Sequence, residues 1–228
     1  MKKILIFAAH PDDDILGCGG LISKYSNSSE IRVVFIGEGS SCRFSKNKLD
    51  SKIVKDEIKQ RNQSGIKALN HLGVNNFHFH NLPCGRFDEI PLIEINQILE
   101  SEIIKFKPDS IFTHSKNDAN NDHKIIYKSS IIATRPGSKF LVKNLFTYEV
   151  LSSSEWNFGN CFSPNYFVEL SEFDIRNKID SMMAYKTEIL QYPYPRSEEG
   201  IITLAKLRGM QSFCQYAEAF KSIRIINK

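Results

Sequence analysis

The 228-residue chain has no Cys-x-x-Cys pair among its five cysteines. Cys18, Cys42, Cys84, Cys161 and Cys214 are widely spaced and odd in number, which argues against a disulfide framework and a cysteine-rich zinc site. Reduced thiols in a cytoplasm are the expectation. No apolar run approaches the roughly 20 residues that span a bilayer. The start, MKKILIFAAHPDDDILG, places two lysines before an apolar stretch, but that stretch is short and runs into carboxylates. It reads as a buried strand rather than a leader. No Gly/Ser-rich linker, repeat or low-complexity segment divides the chain, so one domain over 1–228 is expected. The net charge of +4 comes with scattered lysines, the pattern of a solvated surface and not of a nucleic-acid footprint. An anionic small molecule is compatible with it. No G-x-G-x-x-G follows the first strand, and Asp12 to Asp14 would repel a phosphate there.

Alternating strand-like and helix-like segments fill the first two thirds. Apolar runs at Ile4–Ala8, Ile31–Ile36 and Ser110–Thr113 read as buried strands, with shorter candidates at Phe77–Phe79 and Phe146–Val150. Helices are expected over Ile15–Tyr25, Leu49–Leu72, Pro91–Phe106 and Asp122–Ala133, the second with an apolar face of Ile53, Ile58, Ile66 and Leu69. Two more, Asp174–Gln191 and Glu198–Tyr216, flank the Tyr-Pro-Tyr-Pro turn. The fold class expected is α/β: a Rossmann-like three-layer αβα arrangement with a mainly parallel sheet and a C-terminal helical extension. In such sheets ligands bind beyond the carboxyl ends of the strands. His10 to Asp14 and His114 to His123 both follow strands, so both polar clusters belong on one rim.

Ala9-His10-Pro11-Asp12-Asp13-Asp14 packs one imidazole and three carboxylates into a turn. One carboxylate suffices to cap a helix, whereas three invite a divalent cation to relieve their repulsion. His10 and Asp13 can address one ion while Asp12 stays free. Gly17, Gly19 and Gly20 permit close packing of the following helix against the sheet.

The run AAHPDDDILGCGGLI resembles the AHPDDE-x-x-x-GG motif of the LmbE/PIG-L family of zinc-dependent N-deacetylases, which act on N-acetylglucosamine carried by various aglycones. The resemblance implies zinc ligation by His10 and Asp13, with Asp12 as general base and Asp14 standing where the family has Glu. It also implies a later ligand in a D-x-H-x-D-H-like pattern. The segment from Thr113 to His123 supplies His123, with Asp118 and Asp122 as the carboxylates and Asn120 where relatives carry a helper His. Asn120 can donate a hydrogen bond to an oxyanion but cannot act as an acid. Two imidazoles and a carboxylate leave zinc an open position, the pattern of a catalytic site. Water bound there, with its pKa lowered to about 7, is expected to attack the amide carbonyl while Asp12 takes the proton.

The likeness extends along nearly the whole chain. Arg43 in the loop after the second strand, Arg86 after the third and Glu218 in a terminal A-E-x-F are implied to face the substrate, and Arg135 to support the site or the substrate. His114 is read as a strand-end histidine with a structural hydrogen bond, with a helper role in proton transfer as the alternative, and His78 and His80 as ordinary polar residues on a strand, with a second metal pair as the alternative. Trp156 and Tyr192 to Arg196 are candidates for a sugar-stacking wall. A small N-acetylated sugar is thus the expected partner, with no nucleic acid and no membrane span, and a homo-oligomer through the C-terminal helices is compatible. The competing readings are a metal-dependent hydrolase of another amide or ester bond and a non-catalytic nucleotide- or sugar-binding module.

Overall fold

A computed structural model describes residues 1–227. Strands β1 (Lys3–Ala8), β2 (Glu30–Gly37), β3 (Phe77–Leu82), β4 (Ser110–His114) and β5 (Asn144–Tyr148) pair in parallel, and β7 (Tyr216–Ile225) runs antiparallel between β5 and β6 (Tyr166–Leu170). The sheet order is β3-β2-β1-β4-β5-β7-β6. Helices α1 (Asp13–Tyr25), α2 (Lys52–His71), α3 (Leu92–Phe106), α4 (Asn121–Ala133), α5 (Glu172–Met182) and α6 (Glu198–Ser212) cover it on both faces. This is the three-layer arrangement expected. Among the described residues no helix is long and apolar enough to cross a membrane.

β1 shows why the inner strands read as unbroken apolar runs. Ile4, Ile6 and Ala8 enter the core beneath α1, α2, α5 and α6, while Leu5, Phe7 and Ala9 enter the core beneath α3 and α4. With a strand period of two and helices on both faces, every position is buried. Serine side chains begin several helices: Ser51 Oγ accepts from Val54 N–H, Ser197 Oγ from Gly200 N–H, and Ser171 forms a capping box with Asp174.

The last third differs from the expectation. The helix expected over Asp174–Gln191 stops at Met182, and the one over Glu198–Tyr216 stops at Ser212, where Phe213 turns the chain at φ 59°. The extension also adds two strands, β6 and β7, so the A-E-x-F run lies on a strand and not on a helix. The apolar face of α2 is corrected too. Ile53 is 66% exposed, and the buried stripe is Val54, Arg61, Gly65, Ala68 and Leu69.

The glycines of α1 act as expected. A Cβ on Gly17 would lie 2.2 Å from the Tyr148 ring of β5, and one on Gly20 would lie 2.3 Å from Leu170 of β6. Only hydrogen at these positions lets α1 settle onto the sheet.

Candidate active site

From β1 the chain leads to β2 on one side, while β4 lies on the other. The crevice between β1 and β4 is therefore the topological switch point of the sheet. His10 and Asp13 follow β1, and His123 lies in the first turn of α4, just beyond β4. Asp13 Oδ2 is 3.4 Å from His10 Nδ1 and 3.3 Å from His123 Nε2. A tetrahedral zinc with bonds of 2.0–2.2 Å sets its donors about 3.3–3.5 Å apart. Neither buried ring nitrogen of His123 meets hydrogen-bond geometry, its Nδ1 lying 3.2 Å from Asp118 Oδ1. Donor type, spacing and an orphaned imidazole nitrogen all fit a zinc-class ion.

Carboxylates stand behind both imidazoles. His10 Nε2 is 2.9 Å from Asp122 Oδ2, and Asp122 is held by the Gly85 and Phe87 N–H groups at 2.6 and 3.3 Å. His123 Nδ1 is 3.2 Å from Asp118 Oδ1, and Asp118 accepts from the hydroxyls of Ser153 and Ser154. Such partners fix the tautomer and ring orientation of a metal-binding histidine. Burial alone would lower both imidazoles. Asp122 and Asp13 outweigh it at His10, held at about 9, and Asp13 and Asp118 outweigh it at His123, held at about 10. Surplus negative charge therefore converges where a cation would sit.

Asp12 does not cap α1, since no side-chain capping hydrogen bond is present. Its backbone adopts φ 126°, a conformation that costs a residue with a Cβ about 1–3 kcal/mol and turns it out of helical geometry. Its Oδ2 meets Arg61 Nη2 at 2.8 Å and Arg196 Nη1 at 2.5 Å. Glu188 joins the same cluster, paired with Arg61, with Arg43 at 2.6 Å and with Arg196 at 3.4 Å. Burial raises the Asp12 carboxyl against the opposing pull of the two guanidiniums.

Other expected residues lie in different settings. Asn120 is the N-cap of α4, its carbonyl accepting from Asp122 N–H at 2.9 Å. Arg43 reaches Glu188, and Arg86 donates to the Cys84 and Phe44 carbonyls, tying two rim loops together. The expectation for Glu218 is corrected. Both its oxygens are taken by Gly20 N–H, Leu21 N–H and Lys178 Nζ, each at 2.7 Å, so it braces α1 from β7. Arg135 pairs with Glu100 on α3. His114 is the structural histidine expected: its Nε2 accepts from Ala9 N–H at 2.8 Å, and its ring stacks 3.9 Å from that of His123. Burial, with His123 adding, pushes it well below the usual imidazole range. Trp156 and Tyr194 pack edge to face at 6.2 Å.

Arg61 and Glu188 are not singled out by the sequence, and Arg196 enters it only as the end of the Tyr192–Arg196 stacking candidate, not as a partner of Asp12. Arg61 carried a readable signal, since it lies seven residues after Val54 and four before Gly65, in register with the buried stripe of α2. Glu188 and Arg196 lie between α5 and α6 and carried none.

The family described as GlcNAc-PI de-N-acetylase, PIG-L, matches residues 5–134. The uncharacterized deacetylase YaiS of Escherichia coli K12 is 25% identical over 195 residues, covering 82% of this chain and 91% of YaiS. An N,N'-diacetylchitobiose deacetylase from Pyrococcus horikoshii superimposes with a TM-score of 0.76 at 20% identity, over 98% of this chain and 84% of that one. GalB, a 4-carboxy-2-hydroxymuconate hydratase from Pseudomonas putida, superimposes with a TM-score of 0.73 at 19% identity, over 100% and 99%. The fold thus serves more than one chemistry, and at these identities the structures speak to fold alone. The match over more than half of the chain, spanning His10, Asp13 and His123, places this protein in the PIG-L de-N-acetylase family.

Proposed function

We propose that this chain is a zinc-dependent N-deacetylase that removes the acetyl group from an N-acetylated amino sugar or its conjugate, acting as one domain in the cytoplasm. The observation that carries the reading is the convergence of His10 Nδ1, Asp13 Oδ2 and His123 Nε2, with Asp12 beside them in a strained conformation. Those three residues would hold the ion. When bound, zinc supplies Lewis acidity toward an amide carbonyl and toward water. Asp12 accepts the proton of the attacking water and returns it to the leaving amine. Asn120 has no acid to offer, and its carbonyl is occupied at the N-terminus of α4. Arg61 and Arg196, both on Asp12 Oδ2, provide the fixed positive charge on this side of the site.

The family description and the Pyrococcus relative's name both specify an N-acetylated sugar, which supports that substrate class. Beside Arg61 lies a cleft of about 400 Å³ whose wall carries Lys67 and Lys186 with the carboxylate Glu57, Arg43 being paired with Glu188. This supports an anionic group on the aglycone. Unpaired cysteines support a reducing compartment.

The test is acetate release from a panel of N-acetylated sugars with neutral and anionic aglycones. Asp12→Asn is expected to abolish release while keeping the parent's metal content, and the anionic members are expected to show the lower KM. Full activity in Asp12→Asn removes Asp12 from the role of base.

A further inference from the structure

Strand β3 forms one edge of the sheet. Phe77 and Phe79 pack toward the core beneath α2, so His78 and His80 share the opposite face. Their rings meet edge to face with centroids 4.6 Å apart. From α3, Glu102 extends to the same place, its Oε1 3.3 Å from His80 Nε2. The other oxygen, Oε2, accepts both Arg32 Nε at 2.9 Å and Arg32 Nη2 at 2.7 Å, and Arg32 is itself anchored on Asn76. Glu102 is thereby locked with one oxygen turned toward the two imidazoles.

An Arg32–Glu102 ion pair accounts for Oε2. It leaves two features unexplained. The buried Nε2 of His80 makes no hydrogen bond, although a carboxylate oxygen stands 3.3 Å away. One donor atom from each of His78, His80 and Glu102 also lies within 4.8 Å of the others. A buried nitrogen beside an uncommitted carboxylate oxygen and a second imidazole is the donor arrangement of an open transition-metal site. His78 is exposed, so its imidazole is open to an ion from solvent.

We propose that His78, His80 and Glu102 form a second metal site, separate from the His10–Asp13–His123 cluster, that takes a divalent transition-metal ion of the zinc class. Two imidazoles and one carboxylate favour zinc, nickel or copper over magnesium or calcium, which prefer an all-oxygen shell. The site joins the edge strand β3 to helix α3. Arg32 lies on the far side of Glu102, so its charge weakens the site relative to the candidate active site.

The proposal stands apart from the functional reading, and its test keeps the two distinct. Metal-free protein is titrated with Zn²⁺ against a chromophoric chelator, alongside His78→Ala, His80→Asn and His10→Ala. The parent is expected to take up two ions per chain, as a tighter and a weaker class. His78→Ala and His80→Asn are each expected to lose the weaker class and keep the tighter one. His10→Ala is expected to do the reverse. Because His78 is exposed, its replacement does not threaten folding, which thermal melts of the metal-free proteins check. Unaltered zinc uptake in both His78→Ala and His80→Asn overturns the proposal, whatever His10→Ala does.

Discussion

Arg196 Nη1 stands 2.5 Å from Asp12 Oδ2, joining residues 184 positions apart. The carboxylate proposed as base is therefore bracketed, with Arg61 on the same oxygen. Arg196 also donates to Ser152 Oγ at 2.5 Å, which fixes its guanidinium from the β5 side. If Arg196 steadies the developing negative charge, Arg196→Gln lowers kcat for acetate release by about 10²–10³-fold with little change in KM or metal content. Arg196→Lys recovers only part of this, because an ammonium offers a point charge and no planar fork. A kcat for Arg196→Gln equal to the parent's would confine Arg196 to a structural part.

Asp122 and Asp118 give a second prediction. An asparagine at 122 keeps one acceptor oxygen where the aspartate uses two, so one of the Gly85 and Phe87 N–H groups loses its partner, and the charge behind His10 is gone. Asp122→Asn is expected to weaken zinc binding at the candidate active site by about 10–100-fold in chelator competition. Ser154→Ala, one step further out through Asp118, is expected to weaken it less. Equal zinc affinity in parent and Asp122→Asn contradicts the orienting role.

Reading the sequence succeeded where burial leaves a local trace. β1, β2 and β4 are covered by helices on both faces, so their apolar runs could be recognised without partners. That the His10–Asp14 and His114–His123 segments share a rim follows from topology, because loops after adjacent parallel strands must, whereas the ligand role of His123 is what the LmbE/PIG-L resemblance implies. Reading failed where placement is tertiary. β7 carries Ala217, Glu218, Ala219, Lys221 and Arg224, a run too polar and small to announce a strand, yet β5 and β6 flank it and bury its first half. Arg61 lies in the buried stripe of α2 although a buried charge is normally excluded, and Asp12, Glu188 and the Pro11 carbonyl make its burial tolerable. Glu188 and Arg196 occupy irregular backbone between α5 and α6, where neither period operates.

Cys42 supplies a pH-dependent prediction. It is exposed, beside the buried Cys84. A hydrogen bond from the Cys84 thiol pulls Cys42 down to about 6 against the upward push of burial, while Cys84 itself is pushed well up. A lowered thiol pKa means that the reactive thiolate dominates above that value. Iodoacetamide labelling of Cys42, read by peptide mass spectrometry, is expected to rise through about pH 6, against about 8.5 for an ordinary thiol. Cys84→Ala should move that midpoint upward. A midpoint near 8.5 in the parent means that the thiol pair does not form.

Glu218 tests the correction made to the A-E-x-F run. Its oxygens receive the Gly20 and Leu21 N–H groups, while Lys178 Nζ donates to Glu218 and to the Leu16 carbonyl, each at 2.7 Å. A buried ion pair from β7 and α5 thus clasps the middle of α1, the helix that begins at Asp13. Glu218→Gln leaves a buried ammonium without its counter-charge, a loss of roughly 3–5 kcal/mol. For a chain of this size that lowers Tm by roughly 6–20 °C. Lys178→Met combined with Glu218→Gln is expected to regain part of the loss, since the unpaired charge is gone, and the non-additivity measures the pair. Neither oxygen is free for a substrate, so Glu218→Gln assayed well below its Tm is expected to keep KM within about twofold of the parent. A large rise in KM with an unchanged Tm would return Glu218 to the substrate pocket.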